Sequence, residues 1–316
     1  MRKESRRAPP ERPRSRPALS AAYELYRRGY RWTRLNLRLE RRLERLRNEL
    51  GQLPRSDIGL RLKDFDPALD ERLAPLRARN CELVIAEFDQ DGRIAPRFGH
   101  LGDIATITPA EFMPRTGCRL SIVDLNGRVG VRKEFAGALG PFVQELEALV
   151  RLEPFDCPVP RVMNVDWDAR SVTMTFICGH AVRELLAAAG AKVRDRDDPR
   201  PYTRAVERER ILAGRAALGA VVSPEQINAI GAALASIHDA GFVVEDVKFG
   251  NIIIEQSSGA PFFVDLERAM PVGSLPPAVA EYLREIDLKK FRDHFGSAGT
   301  SGEAPVSGPA AAREQK

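Results

Sequence analysis

The sequence predicts an α+β fold, and three observations carry that expectation. Asn126-Gly127 sits between two alternating, β-branched runs at residues 119–124 and 129–135. Both positions of that two-residue turn need φ > 0, which Asn and Gly tolerate, so the pair marks a β-hairpin. Ser223, Pro224 and Gln226 form an N-cap, first-turn proline and capping-box pattern. Ile227, Ile230, Leu234 and Ile237 follow at helical spacing, and Gly241 ends the helix. A second pair of β-rich runs, residues 252–255 and 261–266, then flanks Gln256-Ser257-Ser258-Gly259.

The 316 residues suffice for one or two domains, and 43% apolar with 29% charged content is ordinary for a soluble globular chain. No apolar run is long enough to span a bilayer. The opening MRKESRRAPPERPRSRP has no apolar core of the secretory type. Cys81, Cys118, Cys157 and Cys178 are far apart, which points to free thiols in a reducing cytoplasm rather than a zinc site or a disulfide framework. The net charge of +5 is uneven: residues 1–50 hold 16 Lys/Arg against 6 Asp/Glu, and the remainder 33 against 38.

Residues 1–17 are a Pro- and Arg-rich arm expected to be disordered. Residues 18–50 then read as a basic amphipathic helix, with Trp32, Leu35, Leu39, Leu43, Leu46 and Leu50 on one stripe; Gly51 and Pro54 stop it. The plainest account packs that stripe on its own domain or on a partner helix. A sharper one lays it on an anionic membrane surface, at the inner face, because Trp and Tyr stand beside Arg. Nucleic acid ranks below both, since no reading motif accompanies the arginines. On this division, deleting residues 1–50 should leave the rest folded. Residues 51–79 form a charged connector with a short helix at 67–79; residues 81–88 and 101–114 read as strands. After the first hairpin come a helix at 141–152, strands within 159–166 and 171–177, and a charged insert between 181 and 222. A last helix spans 276–295, and the Gly/Ala/Ser/Pro-rich 297–316 should be a disordered tail.

The stretch from His238 to Ala269 carries the chemistry. His238-Asp239-Ala240-Gly241 closes a helix; Asp246, Lys248 and Asn251 follow in a loop; a hairpin then ends at Asp265-Leu266-Glu267-Arg268-Ala269. This order resembles the catalytic core of the protein-kinase-like superfamily, where a helix ending His-x-x-Gly leads to Asp-x-Lys-x-x-Asn, a hairpin and a metal-binding Asp. The ending is similar to that of lipopolysaccharide kinases and other small atypical bacterial kinases, whereas Lys248 is the residue of Ser/Thr protein kinases. The resemblance implies a two-lobed domain over residues 80–296, with a truncated helical C-lobe because little chain follows Asp265.

It further implies ATP- and Mg²⁺-dependent phosphoryl transfer to a hydroxyl of a protein Ser/Thr, a glycolipid or a sugar, in the cytoplasm or peripherally at the membrane. Asp246 would orient the acceptor hydroxyl or take its proton, and Lys248 would steady the transferring group. Asn251 and Asp265 would hold the metal. Lys133 would pair with the nucleotide phosphates, with Arg132 as the alternative register. Glu145 would be the lysine's carboxylate partner, with Glu147 as its rival. Met174 and Phe176 would lie on the adenine-contacting hinge. The sequence departs from the family where Val244-Glu245-Asp246 replaces His-Arg-Asp, where Glu267 replaces a glycine, and where no glycine-rich loop precedes the first hairpin. Those departures carry the alternative: a pseudokinase that binds nucleotide or scaffolds partners without transfer.

Overall fold

The computed structural model describes residues 35–51, 53–77, 82–87, 118–135, 139–193, 203–273 and 275–296. The fold is mixed α+β. A five-stranded antiparallel sheet runs β1-β2-β3-β5-β4, built from β1 (Glu82–Glu87), β2 (Cys118–Leu125), β3 (Arg128–Phe135), β4 (Val162–Asp166) and β5 (Ser171–Thr175). The expected first hairpin forms: Leu125 pairs with Arg128 across a turn whose Asn126 and Gly127 have φ of 50° and 85°. Asp124 secures the turn by accepting from the Gly127 amide at 2.6 Å. The expected strand at 101–114 lies outside the described residues.

Among the described residues four helices belong with this sheet, on it or packed behind it. α1 (Leu35–Glu49) opens the described chain, and α2 (Leu62–Phe65) and α3 (Pro67–Arg77) occupy the connector. α4 (Leu139–Leu152) lies between β3 and β4 in sequence, and its Phe142, Leu146 and Leu149 are buried. Leu39 and Leu46 of α1 join the same core cluster as those α4 residues. Leu62 and Leu69 join a second cluster with Leu120, Ile122 and Val129 of the hairpin. The leucine stripe from Leu39 onward is thus spent inside the molecule, and the connector covers part of the sheet. Residues 18–34, including Trp32, lie outside the described residues.

β5 ends at Thr175, two residues before the expected 177, because the chain turns there toward a second sheet. Its strands are β6 (Gly179–Ala181), β8 (Ile252–Glu255) and β9 (Pro261–Phe263), in the order β6-β8-β9. The Gln256 amide donates to the Cys178 carbonyl at 2.8 Å, drawing the two segments together. Gly179 permits this approach: a Cβ there would meet the Ile254 carbonyl oxygen at 2.1 Å. The remaining helices are α5 (Val182–Ala188), α6 (Arg204–Leu218), α7 (Pro224–Asp239) and α8 (Pro277–Phe295). The α7 capping box forms in both directions, Gln226 amide to Ser223 Oγ and Ser223 amide to Gln226 Oε1. A two-stranded ribbon of β7 (Phe242–Val243) and β10 (Met270–Pro271), which the sequence did not suggest, closes the loop between them. Among the described residues no helix is long and apolar enough to cross a membrane, and Cys157 and Cys178 are free thiols.

Candidate active site

The loop between β7 and β8 is held from beneath by a single acid. Asp287, on α8 and fully buried, accepts from the Val244 amide at 2.7 Å and the Glu245 amide at 2.9 Å. Its other neighbour is His238 Nε2, 3.1 Å away; facing an acceptor-only carboxylate, that nitrogen carries the proton. Lys290, one turn further along α8, donates to the Glu245 carbonyl. Both backbone groups of Glu245 are therefore clamped, which holds it at φ 60°, a left-handed conformation costing a non-glycine residue roughly 1–2 kcal/mol. Val244 and Val247 are buried on either side, so Asp246 between them projects from a fixed backbone.

Asp246 accepts from Lys248 Nζ at 2.9 Å and from Asn251 Nδ2 at 3.3 Å, and the same amide nitrogen reaches the Asp246 carbonyl at 3.1 Å. Burial works to raise the Asp246 pKa, but Lys248, Arg268 and Lys290 outweigh it and hold the carboxyl below its ordinary value. With Nδ2 so engaged, the Asn251 amide is oriented. Its Oδ1 is buried and has no hydrogen-bond partner among the described residues.

The second cluster gathers around Lys133. Its ammonium, 4% exposed, lies 2.5 Å from Glu145 Oε2, 2.7 Å from Asp265 Oδ1 and 3.7 Å from Glu267 Oε2. β3 supplies the lysine, α4 supplies Glu145, and the segment after β9 supplies the other two. Asp265 takes φ 61°, and the Val264 amide before it donates to the Asn251 carbonyl at 3.0 Å, tying this segment to the Asp246 loop. Burial disfavours the charge on Lys133, but the three carboxylates prevail and hold it protonated above its usual range. Burial, helped by Asp265 and Glu267, pushes the Glu145 carboxyl up to about 7 against the pull of Lys133. Burial and Asp265 likewise raise that of Glu267. One lysine cannot neutralise three acids, and ligand oxygens of Glu145, Asp265 and Glu267 lie within 4.8 Å of one another.

Of the residues expected from sequence, the structure brings Lys133, Glu145 and Asp265 into one ion cluster, and Asp246, Lys248 and Asn251 into one loop. The alternatives point elsewhere. Arg132 pairs with Glu82 and Glu134, each at 2.9 Å, and Glu147 pairs with Arg42. Met174 stands in β5 opposite Val131 and joins the main core; Phe176 joins the second core, its ring edge-on to Phe65 at 5.9 Å. The stretch 88–117, where a glycine-rich loop would be sought, lies outside the described residues. Sequence reasoning missed Asp287. A signal existed: it interrupts the apolar stripe of Ala280, Leu283 and Phe295 on the last helix, and an acid on a buried face needs donors. Glu267 was noticed only as a departure, not as a member of the lysine cluster. No protein-family model matches this chain, and no curated protein matches it either.

Proposed function

We propose that this chain is a phosphotransferase of the protein-kinase-like kind, moving a phosphoryl group from ATP to a hydroxyl with Mg²⁺. On this reading the five-stranded sheet with α4 is the nucleotide lobe, and the helices after β5 form a short second lobe. The observation that carries it is the cluster of Lys133 with Glu145 and Asp265, drawn from three segments and tied through Val264 and Asn251 to the loop bearing Asp246.

The residues fit a hard divalent cation. Among the described residues Asn251 Oδ1 is a buried acceptor without a donor, and the carboxylates around Lys133 exceed the charge it can neutralise. Oxygen donors of this kind suit Mg²⁺. Bound there by Asp265 and Asn251, the ion would neutralise charge on the nucleotide phosphates. Lys133, kept protonated, would meet a phosphate oxygen while Glu145 fixes its direction. Lys248, beside Asp246, offers a cation to the group in transit.

Asp246 is held below the ordinary carboxylate range, so it is a weak base. Its part is to accept a hydrogen bond from the acceptor hydroxyl and aim it. The loose transition state of phosphoryl transfer asks mostly for such positioning and charge stabilisation. The acceptor is a hydroxyl of a protein Ser/Thr, a sugar or a glycolipid, and the reaction belongs to the cytoplasm or the inner membrane face.

A second reading, a nucleotide-binding module without transfer, is favoured by Glu267, which brings an extra acid to Lys133 where the family has glycine. One experiment separates the two: thermal shift with Mg²⁺·ATP, and phosphate transfer to an acceptor panel, for wild type, Asp246→Asn and Asp265→Ala. Ligand that binds only the native state raises its melting temperature. Transfer predicts that Asp246→Asn keeps the shift and loses roughly 10²–10⁴-fold in rate, while Asp265→Ala loses the metal-dependent shift. Binding without transfer in wild type selects the second reading, and absence of any shift removes both.

A further inference from the structure

α4 presents an acid on each of two sides. Glu145 turns toward β3 and bonds Lys133. Glu147, two residues on and about 200° around the helix, turns the other way and bonds Arg42 of α1, with side chains only 16% and 12% exposed. The tie is repeated along the helix. Arg151 pairs with Glu49 at 2.8 Å. Past the end of α4, Glu153 receives a bidentate Arg55, at 2.7 and 2.9 Å. Near its start, Phe142 meets the edge of Trp167 at 6.4 Å, and the Arg47 guanidinium covers that indole at 5.0 Å. Leu39 and Leu46 fill the core cluster shared with Phe142, Leu146 and Leu149.

We infer that residues 39–51 and 53–55 are a built-in brace on α4, setting its rotation and thereby positioning Glu145 against Lys133. The geometry makes the bond sensitive to that rotation. A turn of ~20° moves a carboxylate ~5 Å from the helix axis by roughly 2 Å, enough to break the 2.5 Å contact with Lys133. An isolated surface ion pair contributes little. Here the pairs run along the second half of α4 and just past its end, beside buried leucines, so they fix its angle rather than add separate stabilities. Arg42, Glu147, Arg55 and Glu153 are accordingly positioning residues. Their catalytic consequence rests on the phosphotransferase reading, but the claim that they set the Lys133–Glu145 pair does not.

The test uses the full chain with Arg42→Gln, Arg42→Glu, Glu147→Arg and the charge-swapped double variant. The first readout is acylation of Lys133 by a water-soluble amine reagent, followed by peptide mass spectrometry, with the exposed Lys289 as internal reference. In wild type Lys133 is protected. The single variants should raise its labelling several-fold relative to Lys289, and the swap should return it toward wild type. The second readout is Mg²⁺·ATP-dependent transfer, where the singles lose kcat more than KM and the swap recovers it. Unchanged Lys133 labelling in the singles overturns the brace. So does a rise shared by every lysine, which marks general loosening, or a swap that restores nothing. A wild type that transfers no phosphate defeats the enzymatic reading alone, because the labelling still decides the brace.

Discussion

Replacing Asp287 with alanine should unfold this protein at markedly lower denaturant. The carboxylate is fully buried and serves three donors: the Val244 amide at 2.7 Å, the Glu245 amide at 2.9 Å and His238 Nε2 at 3.1 Å. Hydrogen bonds to a charged group contribute about 1.5–3 kcal/mol each, and a buried donor left without a partner carries its desolvation penalty as well. The three are not additive, since the loop can shift and water can enter, so the expected loss is roughly 3–5 kcal/mol. Glu245 adds to the effect, because its left-handed backbone is held by this acid and by Lys290. Urea unfolding followed by circular dichroism measures the loss, with the exposed Asp239→Ala as a control expected to stay within about 0.5 kcal/mol of wild type. A loss below about 1 kcal/mol for Asp287→Ala would refute the assignment of Asp287 as the loop's anchor.

Three further outcomes follow from burial and packing. The raised carboxyls of Glu145, pushed to about 7, and Glu267 contribute stability that is fully present below their ordinary range and is lost as pH rises through their folded values. The melting temperature of the ligand-free chain should therefore fall between about pH 5 and 8, and fall less steeply in Glu267→Gln; equal slopes would exclude mutual repulsion within the cluster. Asp246 has the opposite sign, its contribution being lost only below the ordinary carboxylate range, outside that window. Leu46→Ala should cost about 2–5 kcal/mol in a urea titration, as for a buried leucine. By the same packing, removing residues 1–50 strips Leu39 and Leu46 from the core and destabilises the chain, contrary to the expectation drawn from charge and composition alone.

What the sequence disclosed was local. The Asn126-Gly127 turn and the Ser223 capping box are specified by adjacent residues, and each formed as expected. Lys133 and Arg132 were inseparable in sequence because adjacent strand residues face opposite ways, and only the partners, Glu145 for one and Glu82 for the other, tell the faces apart. The target of α1 was equally hidden: its amphipathic pattern says that one stripe is buried, not against what. Asp287 resisted for a third reason. It serves backbone amides, which every residue has, so no side-chain motif marks its partners. The short β7–β10 ribbon has two residues a side, too few for an alternating pattern to register.

The packing of α1 on α4 also sets a timetable for the newborn chain. Arg42 and Glu147 are separated by 105 residues. At about 5–20 residues per second, the ribosome needs roughly 5–20 s to supply the partner after α1 has been made. For that interval Leu39 and Leu46 have no α4 to cover them, and the arginines beside them keep a sticky segment hydrated and mutually repelling. Leu39 and Leu46 can be covered by α4 only once residues 139–152 have cleared the exit tunnel.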